Sequence, residues 1–234
     1  MVKIILFDLD GTLYDYEHAQ KKGLAQAYEF WKSQQENSNI KEFNKLYSES
    51  RAWIKKFLAD TAASHSRALY FQKFVETAIG SPNTDLITAL NDAYYEGFFK
   101  IMTPFPNLLD TLSKLKELEY KLGIVTNMQA NIQYKKLSFL GIGNVFDCIV
   151  TSEAVGHEKP NPLIFSHTLS LMKGTPENTY MIGDSIKNDI EPAAFIGIKP
   201  IWFNPTWDSS VSSEEYKFQA ISDYSELPLK IQFN

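Results

Sequence analysis

Val2-Lys3-Ile4-Ile5-Leu6-Phe7-Asp8-Leu9-Asp10-Gly11-Thr12-Leu13 sets the fold. Its first half, Val2–Phe7, is nearly continuous in apolar residues rather than alternating. That pattern belongs to a strand covered on both faces of a parallel sheet. The run stops at two carboxylates, Asp8 and Asp10, and Gly11 frees the chain to turn sharply behind them. Ligands of open α/β sheets gather at the carboxyl ends of the strands, so both acids are well placed to act on one. Neighbouring anions repel, and the pair is tolerable only with a cation or a shared proton. The ordinary alternative for Asp-Gly after a strand is a helix cap or an Asx-turn.

Leu122–Thr126, Phe146–Thr151, Tyr180–Gly183 and, more weakly, Pro200–Phe203 repeat the strand pattern. Between them apolar residues recur at helical spacing: Leu108, Leu109, Leu112, Leu115 and Leu118, then Ile132, Leu137 and Leu140, then Ile164, Phe165, Leu169 and Met172. Strand–helix–strand repetition predicts an α/β fold with a doubly wound, mostly parallel sheet. Residues 16–102 read differently, with no convincing strand. Four helical stripes are expected there: Leu24, Ala27, Tyr28 and Trp31; Phe43, Leu46, Tyr47, Ile54 and Phe57; Leu69, Phe74, Val75 and Ala78; Leu86, Leu90, Tyr94 and Phe98. Turn clusters at Glu36–Asn39 and Gly80-Ser81-Pro82 separate them. The expected organisation is a core of residues 1–15 and 103–234 with a four-helix insert at 16–102. Asp208–Glu215, polar and Ser-rich, reads as a surface loop.

The chain has 234 residues, enough to bury a core without disulfides or a structural metal. It carries 23 Lys+Arg against 28 Asp+Glu, with no basic run, which argues against a nucleic-acid polymer as partner. The single cysteine, Cys148, sits in an apolar run and reads as a small buried hydrophobe; its lack of a partner favours a reducing, cytoplasmic setting. The N-terminal apolar stretch is too short for a signal peptide or a membrane span. His65, His157 and His167 show no zinc spacing.

The other strand ends carry chemistry too. Gly183-Asp184-Ser185-Ile186-Lys187-Asn188-Asp189 follows the Tyr180–Gly183 strand. Asp184 ends the strand, and Asp189 is expected to open the next helix, where an N-cap role is the ordinary alternative. Carboxylates with room for water and phosphate suit Mg²⁺. Thr126-Asn127 offers a hydroxyl and backbone N–H groups that can hold a phosphate, although an ordinary turn is the better explanation of the pair taken alone. Lys159, before Pro160, follows the third strand and is a candidate phosphate clamp.

Together, Asp8/Asp10, Thr126/Asn127, Lys159 and Asp184/Asp189, in that order, resemble the four motifs of the haloacid dehalogenase superfamily. The resemblance covers Val2–Asp15 and Thr103–Phe203, and the inserted helices resemble its type I cap. It implies a Mg²⁺-dependent phosphomonoester hydrolase with an aspartyl-phosphate intermediate. Asp8 would be the nucleophile and Asp10 the acid and base. Mg²⁺ would sit on Asp8, the Asp10 main-chain carbonyl and Asp184. Thr126, Asn127 and Lys159 would hold the phosphate, and Asp189 would support Lys159 or a metal-bound water. The acid at Asp10 points to phosphate esters rather than halides.

Thr103-Pro104-Phe105-Pro106, Gly123–Asn127, Ser152–Gly156 and Lys159-Pro160-Asn161 resemble the branch holding pyrimidine 5'-nucleotidases and N-acylneuraminate-9-phosphatase. His157-Glu158 before Lys159 departs from its pattern. The expected substrate is a small phosphorylated metabolite, a nucleoside 5'-monophosphate ranking slightly ahead of a sugar phosphate. The other readings are a phosphomutase, a haloacid dehalogenase and a non-catalytic phosphate-ligand binder. No membrane partner is expected, and the chain is a monomer or homodimer. Tyr14, Tyr16 and His18 could line the entrance, and Arg51 and Trp53 could contact substrate, although aromatics at helical spacing usually belong to the core.

Overall fold

Ile4–Phe7 forms β1, buried along its whole length and hydrogen-bonded on both sides. The remaining strands are β2 (Lys121–Thr126), β3 (Cys148–Thr151), β4 (Thr179–Gly183), β5 (Lys199–Phe203) and β6 (Gln219–Ile221). This is a computed structural model, and it describes residues 3–35, 37–206 and 218–231; Val2, Glu36 and the Asp208–Glu215 stretch lie outside them. The sheet order is β3-β2-β1-β4-β5-β6, with every neighbouring pair parallel. After β3 the chain passes from one side of β1 to the other to form β4. That reversal makes a crevice at the carboxyl end of β1, between β2 and β4.

The chain divides into two compact units, Met1–Asp15 with Thr103–Asn234, and Tyr16–Met102. The second unit holds α1 (Tyr16–Gln34), α2 (Ile40–Phe57), α3 (Arg67–Ile79) and α4 (Thr84–Lys100). Asn39, Ser66 and Asn83 cap the last three, each side chain accepting the N–H three residues on. Its core is aromatic: Phe74 packs against Trp31 and Phe43, and Phe71 against Tyr94. Phe57 and Ala78 leave the predicted stripes and face solvent. Phe57, 70% exposed, stacks instead on Trp53 one turn back, a neighbour four residues away on the open face of α2.

The first unit holds α5 (Leu108–Glu117), α6 (Ala130–Phe139), α7 (Ser152–Val155), α8 (Pro162–Met172), α9 (Glu191–Phe195) and α10 (Leu227–Lys230). Ile164, Phe165, Leu169 and Met172 of α8 cover Ile4, Leu6, Val125, Val150 and Met181 of the sheet. Cys148 is half-buried against this core. Leu109 and Leu118 of the α5 stripe are exposed. β6 is not legible in the sequence, because only one of its three residues is buried and no apolar run marks it. Just beyond it Tyr224 stacks on Phe203, and its hydroxyl donates to the Thr12 carbonyl at 2.7 Å, bracing the loop after β1. Among the described residues no helix is long and apolar enough to cross a membrane.

Asp147 ties the entry of β3 to β2. Its carboxylate accepts the Leu122 N–H at 2.8 Å and the Lys116 ammonium at 2.9 Å. Burial pushes its pKa up, but Lys116 and the Leu122 amide outweigh this and leave it lowered. A lowered carboxylate contributes stability above its unfolded value, near ~4, that fades as pH falls through the folded value. Asp147→Asn should therefore cost about 0.5–1 kcal/mol in urea unfolding at pH 7, a partly exposed pair being screened. The difference should shrink at pH 3; an equal difference at both pH values would contradict the assignment.

Candidate active site

In the sheet register Phe7 lies opposite Ile124 on one side and Ile182 on the other, so β1, β2 and β4 end almost level. Asp8 is the first residue past β1, its N–H donating to the Ile182 carbonyl at 2.9 Å. Asp184 follows β4. Gly11 sits at φ +87°, and a Cβ there would lie 2.6 Å from an Asp184 carboxylate oxygen. Only glycine both makes this turn and clears that carboxylate. The Thr12 hydroxyl donates to Asp184 Oδ1 at 2.9 Å and accepts the Asp184 N–H at 3.0 Å. The Trp202 indole N–H donates to the Asp184 carbonyl at 2.8 Å. The first and last motifs are thus locked to each other.

Carboxylate oxygens of Asp8, Asp184 and Asp189 lie within 4.8 Å of one another. Lys159 Nζ is inserted between two of them, 2.5 Å from Asp8 Oδ1 and 2.6 Å from Asp189 Oδ1. Asp189 does not cap a helix, as its sequence position suggested. It lies inside a single wide helical turn, Ile186–Ile190, capped by Ser185, and α9 starts two residues later with Pro192 in its first turn. The wider turn swings Asp189 inward, where its second oxygen accepts the Ser185 N–H at 3.0 Å. A Cβ on Gly183 would lie 2.4 Å from Asp189 Cβ, so only glycine leaves room for this placement.

Burial pushes the Asp8 pKa well up; Lys159 opposes the shift, while Asp189 and Asp184 add to it. Asp184 is pushed up to about 6, first by burial and then by Asp189, against its hydrogen bond with Thr12. Burial alone would lower Lys159, but Asp189 and Asp8 outweigh it and keep it charged. Three carboxylates face one ammonium, an excess of negative charge in a poorly solvated place. Hard oxygen donors with that excess fit Mg²⁺. Among the described residues this is the one group of three His, Cys, Asp or Glu close enough to hold a metal, and it contains no histidine.

Asn127 acts as a clip. Its side-chain N–H₂ donates to the Lys159 carbonyl at 2.9 Å, and its oxygen accepts the Lys159 N–H at 2.8 Å. The side chain is thereby committed to the loop that carries Lys159. The Thr126 hydroxyl, nearly fully buried, accepts from Gln133 Nε2 at 2.5 Å. Asp10 meets the α6 face: Lys136 Nζ donates to both its oxygens, at 2.7 and 2.8 Å, and Gln133 Nε2 donates at 3.2 Å. The Tyr14 hydroxyl also donates to it. Burial would raise Asp10, but Lys136, Tyr14 and Gln133 together leave its pKa lowered.

Sequence reasoning missed Gln133 and Lys136. The signal was present, because Gln133, Lys136, Leu137 and Leu140 share one buried face of α6. A Lys and a Gln on an apolar stripe mark a place where buried polar groups need partners. In residues 16–102, Tyr16 is half-buried and accepts from Arg67, a buried arginine ringed by Tyr16, Tyr70 and Tyr94 that the sequence did not single out. Arg51 is half-buried, Trp53 is 48% exposed, and His18 faces solvent.

A family model described as haloacid dehalogenase-like hydrolase matches residues 5–203. The ribulose-1,5-bisphosphate 5-phosphatase of Halopiger xanaduensis is 34% identical over 212 residues, 91% of this chain and 89% of that protein. The N-acylneuraminate-9-phosphatase of Rattus norvegicus is 26% identical, covering 99% of this chain and 94% of its own. Among solved structures, a phosphatase of the same family from Thermococcus onnurineus superposes with a TM-score of 0.73 at 26% identity, over 97% of both chains.

Proposed function

Because the chain belongs to the haloacid dehalogenase-like hydrolase family and is a phosphatase of it, we propose that it hydrolyses a small sugar or sugar-acid phosphate with Asp8 as nucleophile. The observation that carries this reading is the insertion of Lys159 between Asp8 and Asp189, beside Asp184, at the ends of neighbouring strands. Lys159 holds one oxygen of Asp8 and leaves the other for attack. That oxygen forms a bond to phosphorus as the bond to the leaving group breaks, and Asp10, which Lys136 favours in its ionised form, takes up a proton with the substrate and gives it to the departing oxygen. Water then attacks the aspartyl-phosphate and gives its proton to Asp10; phosphate leaves, and Asp8 is regenerated.

Lys159, the Thr126 hydroxyl and the Asn127 N–H are assigned to the phosphoryl oxygens, where fixed donors stabilise charge as it redistributes. Asp8, Asp184 and the Asp10 main-chain carbonyl are assigned to Mg²⁺, which when bound offsets the repulsion between carboxylate and phosphate. Residues 16–102 are assigned to choosing the leaving group.

The sequence ranked a nucleotide ahead of a sugar phosphate; the names of the two relatives favour the reverse order. A panel of phosphomonoesters assayed for phosphate release tests it. Sugar or sugar-acid phosphates should show a kcat/KM at least ~10-fold above nucleoside 5'-monophosphates, a difference of about 1.4 kcal/mol in transition-state binding. Nucleotide turnover that matches or exceeds theirs would reverse the assignment.

A further inference from the structure

Lys136 is a lysine removed from water, with its side chain 1% exposed on the inner face of α6. Burying an ammonium is costly unless partners compensate, and an apolar residue of similar volume is often no less stable. The partner here is Asp10, 126 residues away in the chain, and both of its oxygens are taken. Met128 Sδ also lies 3.6 Å from the ammonium.

Gln133, one turn earlier on the same face, donates through one nitrogen to Asp10 Oδ2 and to the Thr126 hydroxyl. Tyr14 donates to the other Asp10 oxygen. Lys136 and Gln133 both draw the carboxylate toward α6, and Asp10 is absent from the close-packed trio of Asp8, Asp184 and Asp189. A carboxylate held at one oxygen can still rotate. One chelated at both by a buried ammonium and flanked by two further donors has its side-chain torsions fixed.

We propose that Lys136 is a positioning residue for Asp10, fixing the direction from which its carboxyl group meets the leaving-group oxygen. Lys136 itself touches neither phosphate nor leaving group. The inference rests on the reading of Asp10 as the group that exchanges the proton, and the test separates the two. General acid catalysis matters when the departing oxygen is basic and little when it is not, so the readout is dependence on the leaving group.

Lys136→Met keeps an unbranched side chain one atom shorter and removes the charge. With glycerol phosphate, whose alkoxide must be protonated, kcat/KM, which reports only the steps up to loss of the leaving group, should fall roughly 100-fold, the scale expected for a misaligned catalytic group. With p-nitrophenyl phosphate the fall should stay within about 3-fold, because that group leaves without a proton. kcat should fall for both, because Asp10 also takes the proton of the water that cleaves the shared aspartyl-phosphate. Equal losses of kcat/KM on the two esters, or no loss of it on glycerol phosphate, would overturn the role. Should Lys136→Met lose its cooperative thermal transition, Tyr14→Phe, which removes one donor and keeps the ring, should show the same selectivity at a smaller size; its absence would also overturn the role. Asp10→Asn is the reference: a selective loss of kcat/KM there with none in Lys136→Met removes Lys136 alone, whereas equal losses of kcat/KM in Asp10→Asn remove the assignment of Asp10 as the acid.

Discussion

Asp8→Asn is expected to reduce phosphate release by about 10⁴-fold or more, the scale seen when a covalent nucleophile is deleted. The substitution tests chemistry with little change in shape. Asparagine retains an oxygen that can accept from Lys159, so the 2.5 Å contact to that ammonium has a substitute. What disappears is the anionic oxygen that would bond to phosphorus. Two side effects separate this from damage to the fold. Burial first, and then Asp189 and Asp184, push the Asp8 pKa up against the pull of Lys159, so exchanging it for a neutral amide should leave thermal stability equal or higher. A phosphorylated substrate should still bind, because the Lys159 ammonium remains, held by Asp189. Activity within tenfold of the parent protein in a normally folded variant would remove Asp8 from the nucleophile's place.

β1, β2 and β4 were readable because burial on both faces leaves almost no polar positions between the apolar ones, and the part-buried β3 and β5 still carry short apolar runs. Their order in the sheet was not readable, since local pattern does not record which side of β1 a crossover returns to. β6 escaped notice for a related reason: it is a short edge strand with one buried residue, held by its ladder to β5 rather than by its side chains. The motif acids were legible because carboxylates at the ends of apolar runs are conspicuous. Their supporting residues were less so.

The resemblance offered Lys159 or a metal-bound water as partners of Asp189, with a helix cap as the ordinary alternative, and it is the wide turn Ile186–Ile190 that brings its side chain to Lys159. Lys136 drew no reading from the sequence, and its meaning lies in a contact to Asp10 that only the folded sheet creates. In each case the sequence supplied the functional group, and the partner came from a distant part of the chain.

Charge balance leads to the second large effect. Asp8, Asp184 and Asp189 crowd within 4.8 Å, and Lys159 supplies the one ammonium that an ion pair places among them. Such a site is destabilised as it stands and should gain stability from a divalent cation. Chelation with EDTA is expected to lower phosphate release by at least ~100-fold, and excess Mg²⁺ to restore it, in line with the several kcal/mol a metal contributes to charge stabilisation in a transition state. A readout independent of turnover comes from melting. Mg²⁺ at ~100 times its dissociation constant should add about 2.7 kcal/mol, or roughly 5–10 °C for a chain of this size. Asp184→Asn should invert the pattern: a higher melting temperature than the parent in chelator, since one member of the repelling trio is gone, and little further rise with Mg²⁺. If the variant melts lower in chelator and still responds fully to Mg²⁺, the cation does not sit on Asp184. The repulsion among these carboxylates would then need another explanation.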